Sequence, residues 1–301
     1  MLEQQQTAGA PEWKTLYPFQ SRYLDSGGHR QHYVDEGQGK PLLFVHGNPT
    51  WSFYYRNLVK RMSSTSRAVA VDHIGCGLSD KPQEYDYCLQ QHVDNLVGLI
   101  ESLDLSNTTL VAHDWGGAIG LGALLRCRER FEKIVLFNTG AFPPPYIPFR
   151  IRVCRWPVVG PLAVRGLNGF ARAAITMATE LKDGLPGSVA DGLVAPYDNW
   201  NNRVAIQRFV DDIPLRQSHR TWKLLNEIEN GLTSLHDMPI KLIWGMKDWC
   251  FREECLDRFQ RHWPHAEVHR IEDAGHYVVE DANELVCDLT AEFFEKNNGS
   301  S

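Results

Sequence analysis

Asp114, Asp248 and His276 are far apart in the sequence, yet their types together suit nucleophilic catalysis. Asp114 lies in Ala112-His113-Asp114-Trp115-Gly116-Gly117, between the apolar run Thr109-Leu110-Val111 and a small-residue stretch of helical character. Strand, sharp turn and helix in that order make a nucleophile elbow, which lifts one side chain above a parallel sheet. Serine usually occupies that position, and aspartate changes the chemistry. A carboxylate with an ordinary pKa near ~4 is ionised at neutral pH and attacks carbon without a base to remove its proton. His276, in Asp273-Ala274-Gly275-His276-Tyr277, is the candidate base. Asp248, in Met246-Lys247-Asp248-Trp249, would hold the imidazole in its useful tautomer and stabilise its protonated form. In elbow sites the N–H after the nucleophile and one from an earlier loop form an oxyanion hole. Here those positions are Trp115 and, in His46-Gly47-Asn48-Pro49, Asn48. Both also carry side-chain N–H donors that could hold a leaving anion in an apolar cavity.

These loops need strands to position them. Residues 41–46, 68–71, 110–113 and 133–138 are short apolar runs of the kind found in doubly covered strands. Helical patterns lie between them, as in 92–103 with Val93, Leu96, Val97 and Ile100 on one face. Residues 21–24 and 30–36 flank Ser26-Gly27-Gly28 and read as a hairpin. Alternating strand and helix specifies an α/β fold with a mostly parallel sheet flanked by helices, whose loops collect at one edge where ligands bind. The alternation breaks over 141–213, which opens on Phe142-Pro143-Pro144-Pro145 and holds helical stretches at 171–181 and 202–210. It resumes with a helix at 217–230, strand 240–245, helix 252–262, strand 267–271 and a final helix at 283–295. The expected organisation is a core of 16–140 and 214–301, an inserted helical cap of 141–213, and a flexible arm of 1–15.

A net charge of −6 without a basic stripe argues against nucleic acid as a partner. No apolar run approaches the roughly 20 residues of a membrane span, and the N-terminal stretch lacks an apolar signal core. A cytoplasmic protein without membrane association is therefore expected. Seven scattered cysteines without a CxxC pair read as reduced thiols; neither metal nor cofactor is expected. His46, Asp72 and His113 read as structural. Trp51, Phe142, Trp200, Phe209 and Trp249 are candidate pocket residues, and Phe149, Trp156 and Phe170 also suit an apolar tunnel. Arg150, Arg152 and Arg155 read as a solvated cap face rather than a contact for an acidic partner or membrane.

The stretches His46-Gly47-Asn48-Pro49-Thr50-Trp51-Ser52, Asp72-His73-Ile74-Gly75-Cys76-Gly77-Leu78-Ser79 and His113-Asp114-Trp115-Gly116-Gly117 resemble the haloalkane dehalogenases. The resemblance runs from the hairpin to the final helix, is weakest in the cap, and implies the α/β-hydrolase fold. Nucleophile, acid and histidine follow one another in the order of that fold's triads. One branch of the family carries a glutamate after the strand that follows the elbow helix. Asn138-Thr139-Gly140-Ala141-Phe142 offers no carboxylate there, which leaves Asp248. An acid at that position with an Asn–Trp halide pair looks like the third subfamily, which includes the β-lactone decarboxylases of bacterial long-chain olefin biosynthesis. Val194-Ala195-Pro196-Tyr197-Asp198-Asn199-Trp200 is similar to theirs.

The resemblance implies a haloalkane dehalogenase acting on a small apolar haloalkane, with β-lactone decarboxylation by the same residues as the alternative. In dehalogenation Asp114 displaces halide, Asn48 and Trp115 hold the anion, and water activated by His276 hydrolyses the ester. With a lactone, Asp114 attacks the ring and the products are alkene and carbon dioxide. Self-association, or association with olefin-pathway enzymes, is compatible with either. An epoxide hydrolase ranks third, with Tyr146 and Tyr197 as its proton donors. Asp114 excludes a serine esterase, and a non-enzymatic role would have to explain the intact set of catalytic residues.

Overall fold

The computed structural model describes residues 11–297. Its centre is β5 (Thr108–Asp114), whose seven residues are all buried. The strand is flanked by β3 (Pro41–Val45) and β6 (Phe131–Thr139), in registers such as Phe44 opposite Val111 and Ala112 opposite Leu136. Such continuous apolar runs fit strands covered on both faces. With β1 (Arg22–Ser26), β2 (His29–Glu36), β4 (Arg67–Val71), β7 (Ile240–Gly245) and β8 (Glu267–Ile271), the sheet has the order β1-β2-β4-β3-β5-β6-β7-β8. The hairpin β1–β2 joins β4 antiparallel. From β4 to β8 all pairings are parallel. The carboxyl ends of β3, β5, β7 and β8 therefore share one edge, which gathers the four loops carrying Asn48, Asp114, Asp248 and His276.

The helices are α1 (Trp13–Leu16), α2 (Arg56–Met62), α3 (Leu89–Ser102), α4 (Trp115–Arg126), α5 (Phe149–Val153), the single turn α6 (Val159–Pro161), α7 (Gly169–Met177), α8 (Gly187–Val194), α9 (Val204–Asp212), α10 (Arg220–Gly231), α11 (Glu253–His262), α12 (Val278–Asp281) and α13 (Asn283–Lys296). Helices α5 to α9 all fall between β6 and β7. Several bonds tie them to the sheet side: Trp51 Nε1 donates to the Gly192 carbonyl at 3.0 Å, and Asp212 accepts from Leu89 N and Thr221 Oγ1.

Two expectations change. Of the flexible arm, residues 1–10 lie outside the described residues, whereas Trp13–Leu16 form α1. The half-buried Trp13 ring packs edge-on against Trp51 and Phe53 at 5.9 and 6.1 Å, which holds the segment against the core. The helix expected over 171–181 ends at Met177. Beyond it the backbone turns to Asp281, whose carboxylate accepts from Glu180 N, while Tyr277 N donates to the Ala178 carbonyl.

Candidate active site

Asp114 closes β5 with φ 52° and ψ −129°, a left-handed conformation that only a tightly specified turn sustains in a non-glycine residue. Its neighbours make room for the turn. A Cβ at Gly116 would overlap the Val45 carbonyl oxygen, and one at Gly47 would overlap the Asp114 carboxylate. Asn48 N–H donates to Asp114 Oδ2 at 2.6 Å. Thr139 Oγ1 donates to the Asp114 carbonyl, fixing the elbow to β6. Burial pushes the Asp114 carboxyl up to about 6, against the opposing pull of His276 and the Asn48 and Trp115 N–H groups.

His276 Nδ1 lies 2.9 Å from Asp248 Oδ2, and both side chains are buried. The other oxygen, Asp248 Oδ1, accepts from Cys250 N at 2.6 Å, which fixes the carboxylate's orientation. Burial alone would lower the His276 pKa. The Asp248 charge and hydrogen bond outweigh it, Asp114 adds to them, and the net shift is upward. The three expected residues thus come together in one buried cluster.

The anion donors are less symmetrical than the sequence suggests. Trp115 faces the cavity, and its indole N–H has no acceptor among the described residues. Asn48 Nδ2 donates one N–H to the Ile206 carbonyl of α9 at 3.3 Å, and its Oδ1 is buried without a partner. The backbone of Asn48 touches Asp114, while its side chain is engaged with the helices above.

Above the elbow lies a cavity of about 380 Å³ lined mostly by apolar groups. Phe142 and Trp249 line it as expected. Trp51, Trp200 and Phe209 do not. Trp51 is fully buried in an aromatic cluster with Tyr17 and Phe53. Trp200 is 42% exposed beneath the Arg165 guanidinium. Phe209 lies behind Trp115, its ring 5.5 Å from the indole and stacked on His92 at 4.5 Å. Phe170 lines the cavity, whereas Phe149 and Trp156 are exposed outside it. The two tyrosines needed to protonate an epoxide have their hydroxyls engaged with backbone carbonyls, although Tyr146 lines the cavity. Tyr146 OH donates to the Trp249 carbonyl, and Tyr197 OH donates to the Thr50 carbonyl at 3.3 Å.

Two contributors escape sequence reasoning. The Phe251 ring lies nearly parallel to His276, 5.7 Å away at 21°. Asp281 accepts from Gly275 N at 2.7 Å and so braces the histidine loop. Phe251 stands three residues after Asp248, so its place in the same loop was the available signal; nothing local marks Asp281. The residues read as structural are so placed. His113 Nε2 bonds the His276 carbonyl at 2.8 Å, His46 Nε2 accepts from His73 N, and Asp72 accepts from Ser52 N and Leu78 N. All seven cysteines are free thiols.

The sequence matches the α/β hydrolase fold family over residues 40–283. The chain belongs to that family. This hydrolase is 42% identical over 278 residues to a cis-3-alkyl-4-alkyloxetan-2-one decarboxylase of Shewanella oneidensis, covering 90% of this chain and 87% of that protein. It is 39% identical to one from Xanthomonas campestris, covering 93% and 98%. Haloalkane dehalogenase 2 of Mycobacterium tuberculosis is 33% identical, covering 93% and 96%. Among solved structures, the haloalkane dehalogenase DatA of Agrobacterium tumefaciens superimposes with a TM-score of 0.83 at 26% identity, covering 92% and 96%. The hydrolase is thus an enzyme with both decarboxylase and dehalogenase relatives.

Proposed function

We propose that Asp114 is the nucleophile of this hydrolase and that its native substrate is a cis-3,4-dialkyl oxetan-2-one, a β-lactone. The nucleophile assignment is carried by a buried carboxylate at the elbow, gripped by a backbone N–H and adjacent to the His276–Asp248 pair. The substrate is carried over from the relatives at 42% and 39% identity. An apolar cavity of about 380 Å³ suits two alkyl arms. Residues 141–213 act as the cap over that cavity, and the protein works in the cytoplasm beside the olefin-pathway enzymes that make the lactone.

In this reaction the Asp114 carboxylate forms a bond to the ring carbon bearing oxygen, and the ring C–O bond breaks to leave a carboxylate. The Trp115 indole N–H stabilises that oxygen as charge develops. The bond to the carboxylate carbon then breaks, its electron pair forms the C=C bond, and Asp114 departs as carboxylate. Alkene and carbon dioxide leave without consuming water, a proton or an oxidant.

Hydrolytic dehalogenation is the second reading, favoured by the buried His276–Asp248 pair, which a water-dependent step requires. Asp114 displaces halide, and water activated by His276 cleaves the resulting alkyl ester. Purified enzyme given a 1-haloalkane and a long-chain cis-β-lactone in parallel tests the choice. Alkene formation much faster than halide release is expected, and the reverse ranking replaces the first reading with the second. His276→Phe incubated with haloalkane should carry one alkyl group on Asp114. No adduct with any halide or lactone removes Asp114 as nucleophile.

A further inference from the structure

Eleven large apolar side chains are exposed among the described residues, and six of them, Phe149, Trp156, Val158, Val159, Leu162 and Leu167, fall within residues 149–167. They are not scattered. Phe149 packs edge-on against Trp156 at 6.3 Å, and backbone bonds from Gly160 N to the Trp156 carbonyl and from Leu162 N to that of Val158 hold the segment compact. Val158, 70% exposed, has φ +66°, a conformation costly for a β-branched residue. Glycine or asparagine would fill that position at less cost, so the strain goes with presenting an apolar side chain to the outside. Contiguous apolar surface of this kind marks an interaction face.

Charge identifies the partner. Residues 141–179 contain five arginines (Arg150, Arg152, Arg155, Arg165, Arg172) and no Asp, Glu or Lys, in a chain of net charge −6. Arg152 and Arg172 are exposed and form no ion pair among the described residues. Exposed aromatic and aliphatic groups, with the exposed guanidinium groups of Arg152 and Arg172 in the same stretch of chain, match the interfacial layer of an anionic bilayer, where apolar side chains sink below the headgroups and arginines meet phosphates. The face is continuous with the cavity, because Arg150, Ile151 and Cys154 of the same segment line it. No helix is long and apolar enough to cross a membrane among the described residues, which suits seating on a bilayer rather than spanning it.

We propose that residues 149–167 dock this enzyme on an anionic lipid surface, so that an apolar substrate passes from the bilayer into the cavity above Asp114. The docking stands on the surface alone; the passage of substrate rests on the proposed function. This replaces the expectation of a merely solvated face.

Flotation with phosphatidylglycerol-containing vesicles and with pure phosphatidylcholine vesicles tests it. The enzyme should float with the anionic vesicles, about tenfold more than with the neutral ones, and high salt should weaken that preference. Phe149→Ser/Trp156→Ser and Arg152→Glu/Arg172→Glu should each reduce binding about tenfold or more. Neither pair should alter turnover of a short, water-dissolved substrate. Asp114→Asn should bind vesicles like the parent, which separates failure of docking from failure of the chemistry. Absence from anionic vesicles, equal binding to both lipids, or full binding by both double variants overturns the proposal. So does a dimer in solution that Phe149→Ser/Trp156→Ser converts to monomer, because a second copy then covers the face.

Discussion

Asn48 and Asp114, on the loops after β3 and β5, are joined by a 2.6 Å hydrogen bond from the Asn48 N–H to Asp114 Oδ2. The contact is made by backbone, so it survives replacement of the side chain. The Asn48 amide is turned to the Ile206 carbonyl, whereas the Trp115 indole N–H is free to meet a leaving anion. Trp115→Phe should therefore lower kcat for lactone or haloalkane by about 10²-fold, the usual cost of one lost donor. Asn48→Ala should cost clearly less. Steady-state kinetics of the two variants check the order, and a larger loss for Asn48→Ala would return the main anion contact to that side chain.

The ionisation of Asp114 sets the acid limit of either reaction. Burial pushes its carboxyl up to about 6, so activity should fall as pH drops through that value. His276 adds a second requirement only where water must be activated. Burial lowers its pKa but Asp248 raises it further, so the net shift is upward from the ordinary imidazole value and the neutral base accumulates only at higher pH. Halide turnover should keep rising with pH beyond the point where alkene formation has levelled. Parallel pH–rate profiles for the two substrates provide the measurement.

The raised Asp114 pKa has a consequence for stability. The folded state favours protonated Asp114, so its contribution is full below pH 3.8 and is lost as pH rises from there to about 6. Above that window ionised Asp114 costs roughly 3 kcal/mol, because each tenfold change in proton affinity is worth ~1.4 kcal/mol. Asp114→Asn removes the charge while keeping an oxygen for the Asn48 N–H. It should be more stable than the parent at pH 7.5 by up to about 3 kcal/mol, with the advantage shrinking towards pH 4. Urea unfolding at the two pH values gives the comparison.

How much of this was legible depended on whether a signal was local. The elbow was, because an apolar strand, Asp114 and two glycines lie together within one stretch. The alternation of strands and helices placed Asp248 and His276 at the same sheet edge as Asp114, since parallel strands send successive loops to one side. The aromatics of 141–213 were not legible in this way. Trp200 and Phe209 carry the same apolar signal whether they face a cavity, a guanidinium or a neighbouring ring, and packing among short helices decides between those outcomes. Trp51 misled for a related reason: its loop reaches the site, but its indole is held by the Gly192 carbonyl. Asp281 is separated from Gly275 by only a few residues, yet no sequence pattern marks a carboxylate that accepts both from Gly275 N and from Glu180 N in the chain after α7.

Asp248 offers the sharpest separation of the two reactions. Its Oδ2 lies 2.9 Å from His276 Nδ1, and its charge counters the burial that would otherwise depress the histidine. Asp248→Asn removes that charge, so the His276 pKa should fall and its protonated form lose its stabilising partner. Ester hydrolysis should slow by about 10⁴-fold, the scale seen when a triad aspartate becomes asparagine. With a haloalkane the variant should release one equivalent of halide rapidly and then stall, with an alkyl group retained on Asp114. Lactone opening and decarboxylation require no activated water, and alkene formation should fall by less than about tenfold, well short of the loss that a water-dependent step suffers. Intact mass of the variant after each substrate, together with halide and alkene yields, reads both effects. Equal losses in the two assays would mean that His276 acts as a base in alkene formation as well.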